Sequence, residues 1–327
     1  MTLIDDYLEI QEKYEKKFGE KTIVLMQVGG FFEIYGVVNE TTKRGRIHEI
    51  CDLTSLNLTK KCSKTEPVST KNPLMAGFPN HSFEKWKDIL LKYSYTIIKI
   101  EQDTNGTSKP TREVTEIISP GTNMESKTFT NNMFSIYLEE FKDYKTKLPI
   151  LQIGVSIIDI TTGHTQVYET HSDPKDFNYS LDELFRLIQM TNPCEIIIHT
   201  HKITLTQDQL IKYLEISNYQ IHYNLYEGAH YLKNQFRNEL LDKVFPDRGM
   251  LTPVEYIDMD RLHFALIAYV YLIQFTYEHN VNVVHRLKKP TLIDESLYLI
   301  LSHDSINQLN LVKNLNSPNK KGIQSLW

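Results

Sequence analysis

The stretch VGGFFEIYG (28–36) sets two adjacent phenylalanines behind a Gly-Gly pair and places one carboxylate, Glu33, among apolar neighbours. Successive side chains of a β-strand point to opposite faces. Phe31 and Glu33 therefore share one face, while Phe32 and Ile34 share the other. One face of this strand closes a core, and the other presents an aromatic ring beside an acid. With KTIVLMQ just before it, the region reads as two β segments broken at Gly29-Gly30, where the backbone can turn or bulge freely.

Working outward, Leu3, Tyr7, Leu8, Tyr14 and Phe18 recur near helical spacing and predict an amphipathic opening helix. A second helix is predicted from near His81 (HSFEKWKDILLKYS), followed by strands at YTIIKIEQ and REVTEIISPGT. Pro120-Gly121 and the polar stretch from Asn123 to Asn132 mark a domain boundary. Beyond it, ILQIGVSIID has the Val/Ile density of a buried strand, and TTG (161–163) turns it into HTQVYET, giving a hairpin. A helix from about Ser180 to Met190 leads to the apolar strand CEIIIHT. Residues 258–279 read as one long buried helix, and Pro290 ends the segment after it. SLYLILSHDSINQLNLVKN follows, and nothing around Trp327 looks like a natural terminus, so a partial chain is expected.

A chain of 327 residues holds about two domains at ~100–200 residues each. The 19 Tyr and 14 Phe suffice for real cores. A net charge of −5 argues against coating nucleic acid by bulk electrostatics and leaves room for a local patch. One exists: residues 41–72 hold seven Lys or Arg (Lys43, Arg44, Arg46, Lys60, Lys61, Lys64, Lys71) against three acids (Glu49, Asp52, Glu66), which suits phosphate contact. Cys51, Cys62 and Cys194 have neither metal-ligand spacing nor a disulfide framework and read as reduced thiols of an intracellular protein. The acidic, amphipathic N-terminus is neither a signal nor a transit peptide, and FALIAYVYLIQF (264–275) is too short to span a bilayer, so a soluble chain is expected. No G-x-x-x-x-G-K-[ST] occurs, since NKKGIQS lacks the glycine spacing. No Ser-His-Asp or Cys-His arrangement and no metal-ligand set stands out, so no catalytic residue is nominated.

Several segments, in order, resemble the amino-terminal part of MutS-type DNA mismatch-recognition proteins. GGFFEIYG resembles that family's Gly-Asp-Phe-Tyr-Glu-Met-Phe signature, and PLMAGFPNHSFEKWKDILLKYSYTIIKIEQ resembles its Pro-Met-Ala-Gly-Val-Pro-Tyr-His segment with the helix and strand that follow. REVTEIISPGT, IGVSIIDITTGHTQVYE and HRLKKPTLIDESLYLILSHDSINQLNL continue the match across nearly the whole chain. The giant-virus and octocoral-mitochondrial branch is the nearest in character. The resemblance implies an α/β fold in three regions: a mismatch-binding mixed sheet with helices (1–125), an RNase H-like connector (126–250), and the helical start of the core and lever region (251–327). It departs from the family at Gly30, usually Asp, at Phe32, usually Tyr, in a longer and more basic 37–50, and at Lys61, where Arg is common.

The resemblance further implies that Phe31 is a wedge at a deformable base step, with Glu33 accepting a hydrogen bond from the displaced base. It also implies that Lys61 and His81 sit at DNA-contact positions. Isolated, FFEIY would be read as ordinary core packing. Duplex DNA, a second MutS-type subunit and, through the connector, a MutL-type partner are the expected partners. ATP and Mg²⁺ are expected only in a longer parent, and the expected location is intracellular and DNA-associated. Two alternatives stand beside this. A metal-dependent nuclease of RNase H-like form would use Asp159, Asp182, Glu183 and Glu195, although Asp182-Glu183 reads better as a first helical turn. A non-catalytic interaction module is the other, its helix 264–275 packed against further core helices.

Overall fold

The structure, a computed structural model, describes residues 3–39, 42–62, 65–103, 111–123, 131–226, 228, 230–294, 301, 305 and 308–309. Most of SLYLILSHDSINQLNLVKN lies outside these residues, as does Lys64. Contacts divide the chain into two compact units, Met1–Asn123 with Glu278–Asn280, and Met124–Tyr277 with Val281–Trp327.

In the first unit the elements run α1 (Leu3–Phe18), β1 (Thr22–Val28), β2 (Phe31–Val38), β3 (Lys43–Arg44), α2 (Ile47–Thr54), β4 (Thr59–Lys60), β5 (Leu74–Pro79), α3 (Phe83–Lys92), β6 (Thr96–Asp103) and β7 (Thr111–Ile118). The sheet order is β4-β5-β2-β1-β6-β7, with β3 paired to the end of β2. The Gly-Gly break is a hairpin turn. Val28 pairs with Phe31, and Gly29 takes a φ of +60°, the left-handed value a glycine adopts without cost. β1 runs antiparallel to β2 and parallel to β6.

On one face of this sheet lies α1. Its buried Gln11 behaves like an extra strand residue, donating to Thr22 O at 2.8 Å and accepting from Val24 N at 2.9 Å. Tyr7 adds a bond from its hydroxyl to Val24 O at 3.0 Å. A buried amide satisfied on both sides fixes how the helix sits, since leaving either group unpaired costs about 1–3 kcal/mol. The opposite face closes on an aromatic cluster in which Phe32 lies 4.9 Å from Phe83 and 6.0 Å from Phe78, with Trp86 beyond.

The second unit contains β8 (Asn132–Lys142), β9 (Pro149–Asp159), β10 (His164–His171), α4 (Tyr179–Thr191), β11 (Glu195–His201), α5 (Gln207–Tyr213), β12 (Gln220–Tyr223), α6 (Asn234–Val244), α7 (Pro253–Tyr256), α8 (His263–His279) and β13 (Thr291–Leu292). Its sheet order is β12-β11-β8-β9-β10-β13, with β8, β9 and β10 antiparallel and β11 and β12 parallel to β8. Phe134, Ile136, Val155, Ile196 and Ile198 form one buried core with Leu184, Phe185 and Leu210 of α4 and α5.

Two expectations about residues 258–279 are corrected. The helix begins at His263, not 258, because a capping box of Thr252 and Glu255 starts the separate short α7, and Asp258 then takes a left-handed φ of +56°. Nor does α8 pack as one more member of a helical core. It lies on the sheet. Its first turn sits against Gly154 of β9, where a Cβ would fall 2.0 Å from the Phe264 carbonyl carbon. Glu169 of β10 accepts from Phe264 N at 2.8 Å and Ala265 N at 2.9 Å, supplying the acceptor that a helix N-terminus lacks.

Gly154→Ala forces strand and helix apart and is expected to lower stability by about 3 kcal/mol, read from urea denaturation of the chain. Acid should act through His199. Burial, reinforced by His222, holds its imidazole down at about 3 from an ordinary 6.5. In the fold it is neutral, stacked on Tyr271 at 3.8 Å and accepting from Tyr226 N at 3.1 Å. Unfolding frees it to take a proton. Its contribution is therefore complete above pH 6.5 and is lost as pH falls towards 3, by ~1.4 kcal/mol per unit. His199→Phe should flatten the stability curve below that pH.

Candidate nucleic-acid interface

The β1–β2 turn is held from both sides. Gly29 N donates to Gln102 Oε1 of β6 at 3.1 Å, and Gln102 N in turn donates to Gln27 Oε1 at 3.1 Å. On the other side Asn80 N donates to Gly30 O at 2.9 Å, and Asn80 Nδ2 to Gly29 O at 3.3 Å. Arg112 of β7 reaches across β6 to Gln27 O at 3.2 Å. A turn of two glycines, intrinsically loose, thus has little freedom left.

Immediately after this turn the two phenylalanines part. Phe32 is 4 % exposed and sits in the aromatic cluster, whereas Phe31 is 50 % exposed. The alternation expected from the sequence is observed, and Phe31 is not core. Phe31 pairs with Pro79, and the one-turn helix Asn80–Ser82 that follows carries the exposed His81. The fold therefore brings Phe31 and His81 to one end of neighbouring strands.

Glu33 lies two residues along the same face, with its side chain 17 % exposed. It accepts from the Tyr35 hydroxyl, and Lys61 Nζ lies 4.0 Å from its Oε2. Lys61 Nζ donates to the Tyr35 oxygen at 2.7 Å. A chain of donation thus runs from ammonium to phenol to carboxylate. Burial, and then the bond to Glu33, pushes the Tyr35 hydroxyl far above its ordinary value, so it remains a donor. Burial pulls the Lys61 ammonium down, with Glu33 working against it. Arg112 adds positive potential at both Tyr35 and Lys61. Gly77, opposite Glu33 on β5, keeps this place open: a Cβ there would lie 2.7 Å from Phe32 O and 3.3 Å from Glu33 Cγ.

The basic stretch divides. Lys61 belongs to the Glu33 network, Lys43 and Lys71 are exposed, and Lys60 donates to Glu66 O at 2.6 Å. Arg44 and Arg46 are engaged elsewhere: Arg44 Nε bonds Glu12 at 2.5 Å, and Arg46 bonds Glu15 at 2.7 Å and Glu49 at 3.0 Å. These two cations tie β3 and α2 to the acidic side of α1 instead of standing open to phosphate. Tyr35, Gly77, Gln102 and Arg112 were not singled out from sequence. Only Tyr35, at the same alternation as Phe31 and Glu33, carried a signal there.

The carboxylates considered for a nuclease do separate jobs. Asp159 accepts from Thr161 N, Thr161 Oγ1 and Thr162 Oγ1 in the β9–β10 turn. Asp182 accepts from Tyr213, Glu183 pairs with Arg186, and Glu195 meets His222 Nε2 at 2.6 Å in the interior. Among the described residues no group of three or more His, Cys, Asp or Glu is placed to hold a metal ion.

Residues 2–127 match the family described as MutS domain I. Over 96 % of its length the chain is 27 % identical to a putative DNA mismatch repair protein mutS homolog of Acanthamoeba polyphaga mimivirus, of which it covers 30 %. The chain is similar to MutS proteins along nearly its whole length. It is also similar to DNA mismatch repair protein MutS of Caldanaerobacter subterraneus subsp. tengcongensis (23 % identity, 98 % of this chain, 33 % of that protein) and of Streptococcus agalactiae (24 %, 98 % and 31 %). The chain thus spans about a third of the length of these MutS proteins. The matched family domain is the unit that carries Phe31 and Glu33.

The clamp on this hairpin is open to measurement. Gln102→Ala removes the acceptor of Gly29 N–H, and amide exchange at Gly29 should quicken about fivefold, the equivalent of one hydrogen bond of ~1 kcal/mol. An unchanged rate would mean that the turn is rigid without it.

Proposed function

We propose that this chain binds duplex DNA at mispaired or looped steps, with Phe31 as the wedge and Glu33 as an acceptor for the displaced base. The carrying observation is the pair Phe31 and Phe32, one half-exposed and one buried, on a turn bonded to both neighbouring strands. Base-edge hydrogen bonding cannot find a mismatch in arbitrary sequence, because any pair can be the wrong one. Weak stacking and easy bending are what mismatches share. Inserting an apolar wedge costs a few kcal/mol of unstacking, and a defective step lowers that cost. An exposed phenyl ring gains about 1–3 kcal/mol by stacking on a base and is indifferent to which base it meets.

A carboxylate near phosphate is repelled, so Glu33 contributes discrimination more than affinity. It favours a step where a loosened base offers an N–H. Lys61 and His81 stand beside the wedge, with Lys43, Lys60 and Lys71 as the further cations in reach of a backbone. On the same reading the chain works without catalysis of its own. ATP and Mg²⁺ belong with the two thirds of its relatives that it does not span, a second MutS-type subunit and a MutL-type protein are its partners, and its place is intracellular and DNA-associated.

Phe31→Ala tests the reading directly. The variant should lose about 1–3 kcal/mol of affinity for a duplex with one mispair and little for the matched duplex, so that the preference largely disappears. A preference equal to that of the unaltered chain in a binding titration rules the wedge out.

A further inference from the structure

Glu33 is not a bare acid. Its carboxylate accepts from the Tyr35 hydroxyl, which itself accepts from Lys61 Nζ at 2.7 Å, and the same ammonium lies 4.0 Å from Glu33 Oε2. The ring that carries the hydroxyl is buried and fixed edge-on against Tyr7 of α1 at 5.2 Å. The signature that residues 29–35 resemble ends in Phe at this place, where this chain carries Tyr and with it a hydroxyl. A hydrogen bond to an ionised carboxylate is among the stronger ones, and it fixes geometry as well as charge.

We propose that Tyr35, backed by Lys61, sets the specificity of this interface by holding one oxygen of Glu33 and offsetting its charge. Tyr35 is a positioning residue: it acts on DNA only through Glu33. The tethered carboxylate repels sound duplex less than a free one would, and it offers its second oxygen, already oriented, to a single base donor. Gly77 keeps that side clear, because any side chain there would press on Glu33 Cγ. The interface is therefore tuned towards tolerance, giving firmer binding to matched duplex and a smaller margin for the mispaired one than an untethered acid would give.

This inference rests on the proposed roles of Phe31 and Glu33, and a double-mutant cycle separates the two. The probes are a short synthetic duplex with one G·T mispair and its G·C counterpart, titrated with the chain. Tyr35→Phe removes the hydroxyl and keeps the ring packed on Tyr7. Matched duplex should then bind about 3–10-fold more weakly while the mispaired duplex changes less, so the preference rises about threefold. In a Glu33→Gln background, where there is no charge to offset, Tyr35→Phe should leave the preference unchanged. A preference that stays level or falls in the single variant overturns the proposal, as does an equal change in both backgrounds, which marks a structural role. Phe31→Ala in the same assay reports on the wedge: if it abolishes the preference while the cycle is flat, only the tyrosine's role is lost. If the preference survives it, the underlying reading fails.

Discussion

Three hydrogen bonds to a two-glycine turn, two from Asn80 on one side and one to Gln102 on the other, govern the first unit. Glycine was needed at position 29 for its positive φ, and glycine brings freedom that the bonds then remove. With the turn fixed, strand alternation decides the rest. Phe32 is delivered to Phe78 and Phe83, and Phe31 is left in water on the other face. An exposed phenyl ring forgoes about 1.5–3 kcal/mol of burial. That half-exposed ring, beside a fully packed neighbour, is what the proposed wedge role rests on.

Charge is sorted as strictly as hydrophobicity. The basic residues between 41 and 72 look like one patch in the sequence, yet they serve two ends. Arg44 and Arg46 neutralise Glu12, Glu15 and Glu49 and so fasten helix to sheet, while Lys61 turns inward to Tyr35 and Glu33. Exposed ion pairs of the first kind contribute little each, commonly below ~1 kcal/mol, and they still consume cations that would otherwise face a polyanion. On the proposed reading, the cations left for a phosphate backbone are fewer than the sequence suggests, Lys43 and Lys71 among them.

Much of this was legible from residues alone, because period-2 alternation is a local property. Phe31 and Glu33 on one face and Phe32 and Ile34 on the other follow from it, while the glycine pair marked a break and left open whether it was a turn or a bulge. The family match of residues 2–127 was legible for the same reason, being carried by contiguous motifs. Long-range partners were not. Nothing near Gln102 announces that it caps a turn 73 residues away, and nothing near Glu33 says that Lys61 donates to the Tyr35 hydroxyl that bonds it. The start of α8 was not legible because nothing in 258–262 signals the left-handed Asp258 that separates it from α7, and the group that meets its first N–H bonds is a glutamate on another element.

That glutamate has a consequence for assembly. Phe264 and Ala265 draw on an acceptor 95 and 96 positions earlier in the chain. A ribosome finishes the β9–β10 hairpin before the apolar helix emerges, so the helix meets a waiting carboxylate and a bare glycine backbone as it appears. On refolding from denaturant hairpin and helix are released together, and the helix must find that seat by search, with a largely apolar surface exposed in the meantime. Vectorial synthesis protects this unit in a way that dilution from urea does not.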